Sequence, residues 1–210
     1  MGLSLRRDGK FFFFGSRHLG RADLPVVFPR YEFCFLQQVH GRDVVIADPR
    51  NTLTADAHFT NSRGLAVVAQ SADCVPILLS CAQRVCAIHA GWRGLAQNII
   101  GASQSHCSQV TFAAIGPHIH ASSFEVGTDV AQSLQDAAPP ATPRLSAAES
   151  AGKCLFDLNA LARAQLQHTF GRSLAIGDCA RDTKSDLEFY SFRREREKCE
   201  RQYSFIVIED

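Results

Sequence analysis

Residues Arg84-Val85-Cys86-Ala87-Ile88-His89-Ala90-Gly91-Trp92-Arg93-Gly94-Leu95 pass from an apolar run through a glycine-flanked turn into a second apolar stretch. Arg84 to His89 reads as a strand, and Leu95 to Cys107 as a helix beginning just after the turn. The same alternation continues outward on both sides. Arg42 to Ala47, Gly64 to Gln70 and Val75 to Ser80 read as strands, and so does Val110 to Ile115, closed by Gly116-Pro117. Asp129 to Ala138 and Asp157 to Phe170 read as helices. Asp157 suits an N-cap, and Leu158, Leu161, Leu166 and Phe170 fall at roughly helical spacing. Tyr203 to Ile208 is a final strand, and Pro139 to Lys153 reads as a long surface loop between helices. Strands and helices mix without strict β-α-β alternation, which predicts an α+β or mixed-sheet α/β fold.

At 210 residues the chain favours one substantial domain, able to bury about 70% of its unfolded surface. Hydrophobic residues at 46% and charged residues at 20% exclude disorder. Phe outnumbers the other aromatics, 15 against three Tyr and one Trp, so most core rings need no hydrogen-bond partner. With 22 basic and 21 acidic residues the chain offers no field for a polyanion, and nucleic acid is excluded as an expected partner. No apolar run approaches the roughly 18 residues of a membrane span. Basic residues precede Phe11 to Phe14, as in a signal peptide, but the run is too short and no A-x-A-like cleavage site follows. A cytoplasmic location is therefore the expectation. The eight cysteines include no C-x-x-C pair, and a chain of this length does not need disulfides, so most read as small buried hydrophobes.

The chemistry concentrates in three segments: Gln37-Gln38-Val39-His40-Gly41, Ser71-Ala72-Asp73-Cys74-Val75-Pro76 and His89-Ala90-Gly91-Trp92-Arg93-Gly94. Cys74 and His89 stand at strand ends that a hairpin-like pairing brings together. Two imidazoles, His40 and His89, with the Cys74 thiolate make a zinc site with an open fourth position. The same atoms permit a second reading, Cys74 as nucleophile with His89 as its base. A third leaves Cys74 in the core and the histidines in satisfied loops. Gly91 to Gly94, opening a helix and carrying Arg93, suits a phosphate or carboxylate. His118-Ile119-His120 follows Gly-Pro and precedes serines, so it reads as loop and not as ligands of this metal, and His106 reads as structural. Arg193 to Lys198 reads mostly as a solvated charged face.

These segments resemble the bacterial YfiH/YlmD family, also called the multicopper polyphenol oxidase or laccase-domain family. The matching residues are Gln38-Val39-His40-Gly41, Ala72-Asp73-Cys74-Val75-Pro76 and His89 to Leu95. Further matches are Ser16-Arg17 with Gly20, Ile115-Gly116-Pro117, Phe124-Glu125-Val126-Gly127, Phe156-Asp157-Leu158, Cys179 and Tyr190 to Arg194. They run in order from about Gly15 to Ile208, so 1–210 is read as a single catalytic domain of this family. The resemblance implies a four-layer α/β/β/α sandwich, shared with the cytotoxic necrotizing factor toxins and their Cys–His dyad. It implies zinc on His40, Cys74 and His89, and phosphorolysis of purine nucleosides, with adenosine deamination and methylthioadenosine cleavage as companion activities. The sequence departs from the family pattern in places. The family's SLNLG stretch has no counterpart, Phe124 and Phe192 replace tyrosines, and Glu195 to Glu200 replace a glycine-rich stretch. These changes bear on substrate detail and leave the metal positions intact.

The leading expectation is thus a zinc-dependent purine nucleoside phosphorylase acting on a nucleoside and phosphate, as a monomer or small homo-oligomer. Arg93 with Arg17 or Arg193 would neutralise phosphate. Asp73 would act as acid or base at the leaving purine, provided the backbone turns there. Gln38, Ser71, Cys179 and Tyr190 would complete the substrate site. The alternatives are a Cys–His hydrolase or amidase editing peptidoglycan precursors, a copper-dependent polyphenol oxidase, and a binding protein without activity. Copper(II) can occupy such an N/S site. A multicopper cluster needs many further histidines, however, and the chain has one H-x-H pair and eight His in all.

Overall fold

In a computed structural model, which describes residues 2–140, 142–147 and 151–209, the run Phe11 to Phe14 is a strand buried on both faces. The strands are β1 (Gly2–Arg7), β2 (Lys10–Gly15), β3 (Glu32–Cys34), β4 (Val44–Ile46), β5 (Ala57–Thr60), β6 (Leu65–Ser71), β7 (Val75–Cys81), β8 (Val85–Ala90), β9 (Val110–Ile115), β10 (Glu125–Gly127), β11 (Lys153–Leu155), β12 (Ala175–Asp178) and β13 (Gln202–Ile208). The helices are α1 (Leu24–Val27), α2 (Trp92–Ala96), α3 (Ile99–Ala102), α4 (Thr128–Asp136), α5 (Leu158–Phe170) and α6 (Phe192–Glu195). Among the described residues these form a five-stranded sheet in the order β1-β2-β13-β6-β3, a six-stranded sheet in the order β12-β9-β7-β8-β5-β4, and the β10-β11 pair.

Phe12 and Phe14 enter the core between the two sheets, with Val67, Leu78, Ala87, Phe112 and Ile206. Phe11 and Phe13 turn to the outer face of the five-stranded sheet and pack with Leu24, Phe205 and the ring of Phe28. Burial on both faces is what an unbroken apolar run, rather than an alternating one, encodes. The largest core lies on the far side of the six-stranded sheet, where Ile77 and Ile88 meet Leu95, Ile99, Leu161 and Leu166 of α2, α3 and α5. The molecule is α+β, stacked as helices, sheet and sheet. The fourth layer is thin: α1 and the 3-10 turn Arg21–Asp23 cover the outer face. Exposed β1 closes one edge, with Arg6 paired to Glu209 at 3.0 Å.

The expected strands are present with shifts of a residue or two at their ends. Asp157 caps α5, its Oδ1 accepting from the Ala160 amide at 2.9 Å. The expected helix over Leu95 to Cys107 is instead broken. Asn98 adopts left-handed geometry (φ 56°) between α2 and α3, and its side chain accepts from the Gly101 amide at 3.0 Å. That side-chain bond competes with helix continuation, and the segment ends in the 3-10 turn Ser103–Ser105. Buried Gln165 of α5 donates to the Leu95 carbonyl at 2.9 Å and so fastens α2. Residues 141 and 148–150 of the expected loop lie outside the described residues.

His58 on β5 is fully buried, with Nε2 at 3.1 Å from the Val68 carbonyl. Burial pushes its imidazole down to about 4. The unfolded chain takes up this proton near pH 6.5 while the folded protein refuses it until about pH 4. Stability is therefore complete above pH 6.5 and falls between those values, by about 3 kcal/mol. Urea midpoints measured from pH 7 to pH 4 should show this slope, and His58→Gln, which keeps a donor for Val68, should flatten it.

Candidate metal centre

β7 and β8 pair antiparallel, with Val75 opposite Ala90 and Pro76 opposite His89. Cys74, just before β7, therefore arrives beside His89, near the end of β8. His40 joins them from the loop after β3, in left-handed geometry (φ 61°). The ligand atoms of His40, Cys74 and His89 all lie within 4.8 Å of one another. Gly91 closes the back of this cluster: a Cβ there would stand 3.0 Å from His40 Cδ2 and 3.1 Å from Cys74 Sγ. Gly94 is equally confined, its would-be Cβ 3.0 Å from the Gly41 carbonyl. A side chain at either glycine of the turn would thus crowd the cluster or the loop beside it.

One residue with no mark in the sequence organises the cluster. Asp56, 1% exposed just before β5, accepts at Oδ1 from His89 Nδ1 (2.8 Å) and the His40 amide (2.9 Å). Its Oδ2 accepts from the amides of Gly41 (2.6 Å) and Val39 (3.2 Å). Its own carbonyl accepts from the His89 amide at 2.8 Å. Burial alone would raise the Asp56 carboxyl, but the hydrogen bonds from His89 and Gly41 hold it below the ordinary carboxylate range. With Nδ1 donating to Asp56, His89 turns Nε2 toward the cluster, the carboxylate–histidine arrangement that fixes a metal ligand's tautomer. Burial opposes ionisation of Cys74, yet the charge of His89 and hydrogen bonds from both imidazoles hold its thiol down at about 6. His89 is 3% exposed; burial would lower it, but the Cys74 thiolate and the Asp56 hydrogen bond raise it to about 9. Both shifts favour a thiolate beside an imidazolium, the arrangement that makes a cysteine reactive near neutral pH.

The cluster forms part of the wall of a cavity of about 670 Å³. Gln38, Asp73, Trp92, Arg93, Ile119, Phe124, Phe192, Arg193, Arg196 and Arg201 also line it. Asp73 takes φ 84°, so the chain turns and both Asp73 and Cys74 reach the cavity. Its Oδ1 accepts from the Thr183 hydroxyl and its Oδ2 from the Arg193 amide, each at 2.7 Å. The guanidinium of Arg93 stands over the Trp92 ring at 4.4 Å, and that of Arg193 over Phe124 at 5.5 Å. Gln38 is tied to β6 through both its amide atoms, at 2.7 and 2.8 Å from Gln70.

Other expected substrate residues lie off this wall. Ser71 is buried at the end of β6. Arg17 stacks on Tyr190 at 4.8 Å and pairs with Glu195, and the Tyr190 hydroxyl donates to Glu200 at 2.8 Å. Cys179 is half-buried, its thiol pushed up to about 12 by burial. The run from Arg193 to Lys198 is more than a solvated face. Arg194 donates to the carbonyls of Thr183, Lys184 and Phe189, while Arg193 and Arg196 line the cavity. His106 stacks on Phe59 at 4.7 Å. Among the described residues no second group of three or more His, Cys, Asp or Glu converges as His40, Cys74 and His89 do. No helix among them is long and apolar enough to cross a membrane.

Residues 19–209 match the family model described as multi-copper polyphenol oxidoreductase laccase. The chain is 32% identical over 181 residues to the purine nucleoside phosphorylase YfiH of Shigella flexneri, covering 83% of this chain and 73% of that protein. It is 36% identical over 167 residues to the purine nucleoside phosphorylase PA4543 of Pseudomonas aeruginosa, covering 76% and 68%. Two solved structures superpose with a TM-score of 0.84 at 25% identity. One is the Neisseria meningitidis protein NMB0706, over 100% of this chain and 99% of that one. The other is YlmD from Geobacillus stearothermophilus, over 96% and 93%.

Proposed function

The chain belongs to the multi-copper polyphenol oxidoreductase laccase family, and from that premise we propose that it is a zinc-dependent purine nucleoside phosphorylase of the cytoplasm. The reading rests on one juxtaposition, the His40–Cys74–His89 cluster sharing a cavity wall with Arg93 and Arg193. The donor set fits the metal: two imidazoles and a thiolate, with an Asp56-fixed tautomer on His89, suit zinc with a position left open. Zinc held there would supply Lewis-acid chemistry toward phosphate or water. A multinuclear copper centre, by contrast, finds no further triad of ligands among the described residues. The relatives named as purine nucleoside phosphorylases support the same reaction class.

In phosphorolysis a phosphate oxygen attacks C1′ as the C1′–N9 bond breaks, and the electron pair leaves on the purine, which takes up a proton. Arg93 and Arg193 bind and neutralise the phosphate. Phe192, exposed on the cavity wall, offers an aromatic face to the base. Asp73, steadied by Thr183 and the Arg193 amide, is the carboxyl placed to handle the purine's proton. Adenosine deamination would use the same cavity with water in place of phosphate.

Free hypoxanthine should appear from inosine only when phosphate is present. Arg93→Ala should leave the metal in place while phosphorolysis falls by about 10²–10³. Metal content measured beside the phosphate dependence of the rate checks this. Release of base without phosphate, or an unimpaired Arg93→Ala enzyme, overturns the assignment.

A second reading has its own support. Asp56, His89 and Cys74 follow one another as orienting acid, base and nucleophile do in a triad. That order suits a thiol hydrolase or amidase acting on a peptidoglycan precursor.

A further inference from the structure

The segment around Ile119 is a wall between two cavities. Ile119 faces the cavity of Cys74, and its amide donates to the Asp73 carbonyl at 3.0 Å. His118 and His120, on either side of it, face a second cavity of about 420 Å³, which Asp157, Asn159 and Arg163 also line. Alternation along an extended segment puts the two imidazoles on one side. The segment is pinned by its neighbours: the His118 amide donates to Arg181, the Thr183 amide to His118, and the His120 amide to the Asp182 carboxylate.

His118 is 0% exposed. Its Nδ1 donates to the Gly116 carbonyl at 2.8 Å, which places the proton on Nδ1 and leaves a lone pair on Nε2. The Nε2 atoms of both His118 and His120 are buried and have no hydrogen-bond partner. Buried polar nitrogens are ordinarily paired with protein or water, and these two, on neighbouring rings, find no partner within the protein. The ring centres are 5.1 Å apart and the planes 46° from parallel. Centres about 5 Å apart match the spacing of two imidazoles that share one tetrahedral ion, with metal–nitrogen bonds of about 2.0–2.1 Å. The surroundings suit a cation: the carboxylates of Asp157 and Asp178 both act on His118, and Arg163 is already paired with Asp178 at 3.0 Å.

We propose that His118 and His120 form a second, thiol-free metal site, behind the wall of the Cys74 cavity, which takes an imidazole-preferring divalent transition metal and leaves the other positions to water. Two imidazoles without a carboxylate cage favour zinc, cobalt, nickel or copper(II) over magnesium or calcium. A metal there would stiffen the segment that carries Ile119.

Cobalt(II) titration of the metal-stripped full-length protein separates the two sites. Two equivalents should bind, and only one should bring thiolate-to-cobalt charge-transfer absorption. Cys74→Ser should remove that equivalent alone. His120→Asn, at the more exposed of the two imidazoles, should remove the other alone, with an unchanged thermal transition showing that the variant is folded. Binding of a single equivalent by the unsubstituted protein overturns the proposal, and so does a second equivalent that His120→Asn leaves untouched.

Discussion

Cys74→Ala will yield a folded protein without metal and without phosphorolysis. Two neutral imidazoles hold zinc far less well than two imidazoles with a thiolate, and the substitution also removes the group whose ionisation His40 and His89 support. Loss of activity alone would not separate a ligand from a nucleophile, because both roles need the sulfur. His40 makes the separation. If Cys74 is a ligand, His40→Ala loses metal and rate together, and chelators inactivate the unsubstituted protein. If Cys74 is a nucleophile served by His89 and Asp56, chelators are harmless, alkylation inactivates, and His40→Ala keeps most of its rate. Elemental analysis with rates on inosine, before and after chelation, reads out both. Full activity in metal-free protein would overturn the zinc reading.

Asp56→Asn should weaken metal binding by about 10–100-fold while the chain still folds. The carboxylate accepts four hydrogen bonds at the cluster: from His89 Nδ1 and from the amides of His40, Val39 and Gly41. An amide in its place offers one acceptor oxygen and sets an N–H against donors. Either the loop that carries His40 loosens or His89 loses the partner that fixes its tautomer. Competition with a chromophoric chelator measures the affinity, and a thermal melt confirms folding. Wild-type affinity in Asp56→Asn would mean that the histidines hold their orientation without it.

The difference between these two residues shows what the sequence makes legible. Cys74 and His89 stand at the ends of apolar runs, and Gly91 and Gly94 mark a turn, so the cluster can be inferred before any fold is known. Asp56 stands in Ala55-Asp56-Ala57, where nothing in the spacing suggests a role. Its function arises only because β5 pairs with β8 and delivers it beneath His89. The arginines of the cavity are hidden similarly: Arg196 and Arg201 reach it because the chain folds back between α6 and β13. In the fold, the strands β7, β8 and β9 are readable from their apolar runs. β2 is less so, since its four-Phe run follows basic residues and resembles the start of a leader segment, and β1 offers only Leu3 and Leu5, both exposed. The helix expected after Gly94 fails at Asn98, whose side chain satisfies a backbone amide locally at the expense of the helical ladder.

The placement of β13 in the middle of its sheet, between β2 and β6, makes closure of that sheet depend on residues near the far end of the sequence. His40, Cys74, His89 and Asp56 all lie within residues 40–89, so a nascent chain exposes the whole candidate metal-binding set early in synthesis. The sheet closes only when Gln202–Ile208 docks against Lys10–Gly15, a contact of very high sequence separation and correspondingly slow to form. The stretch that leads into that strand carries Arg193, Arg196 and Arg201 of the cavity. On the proposed function, metal capture can therefore precede substrate competence: a chain still attached to the ribosome would present His40, Cys74 and His89 long before the arginines of the cavity are in place.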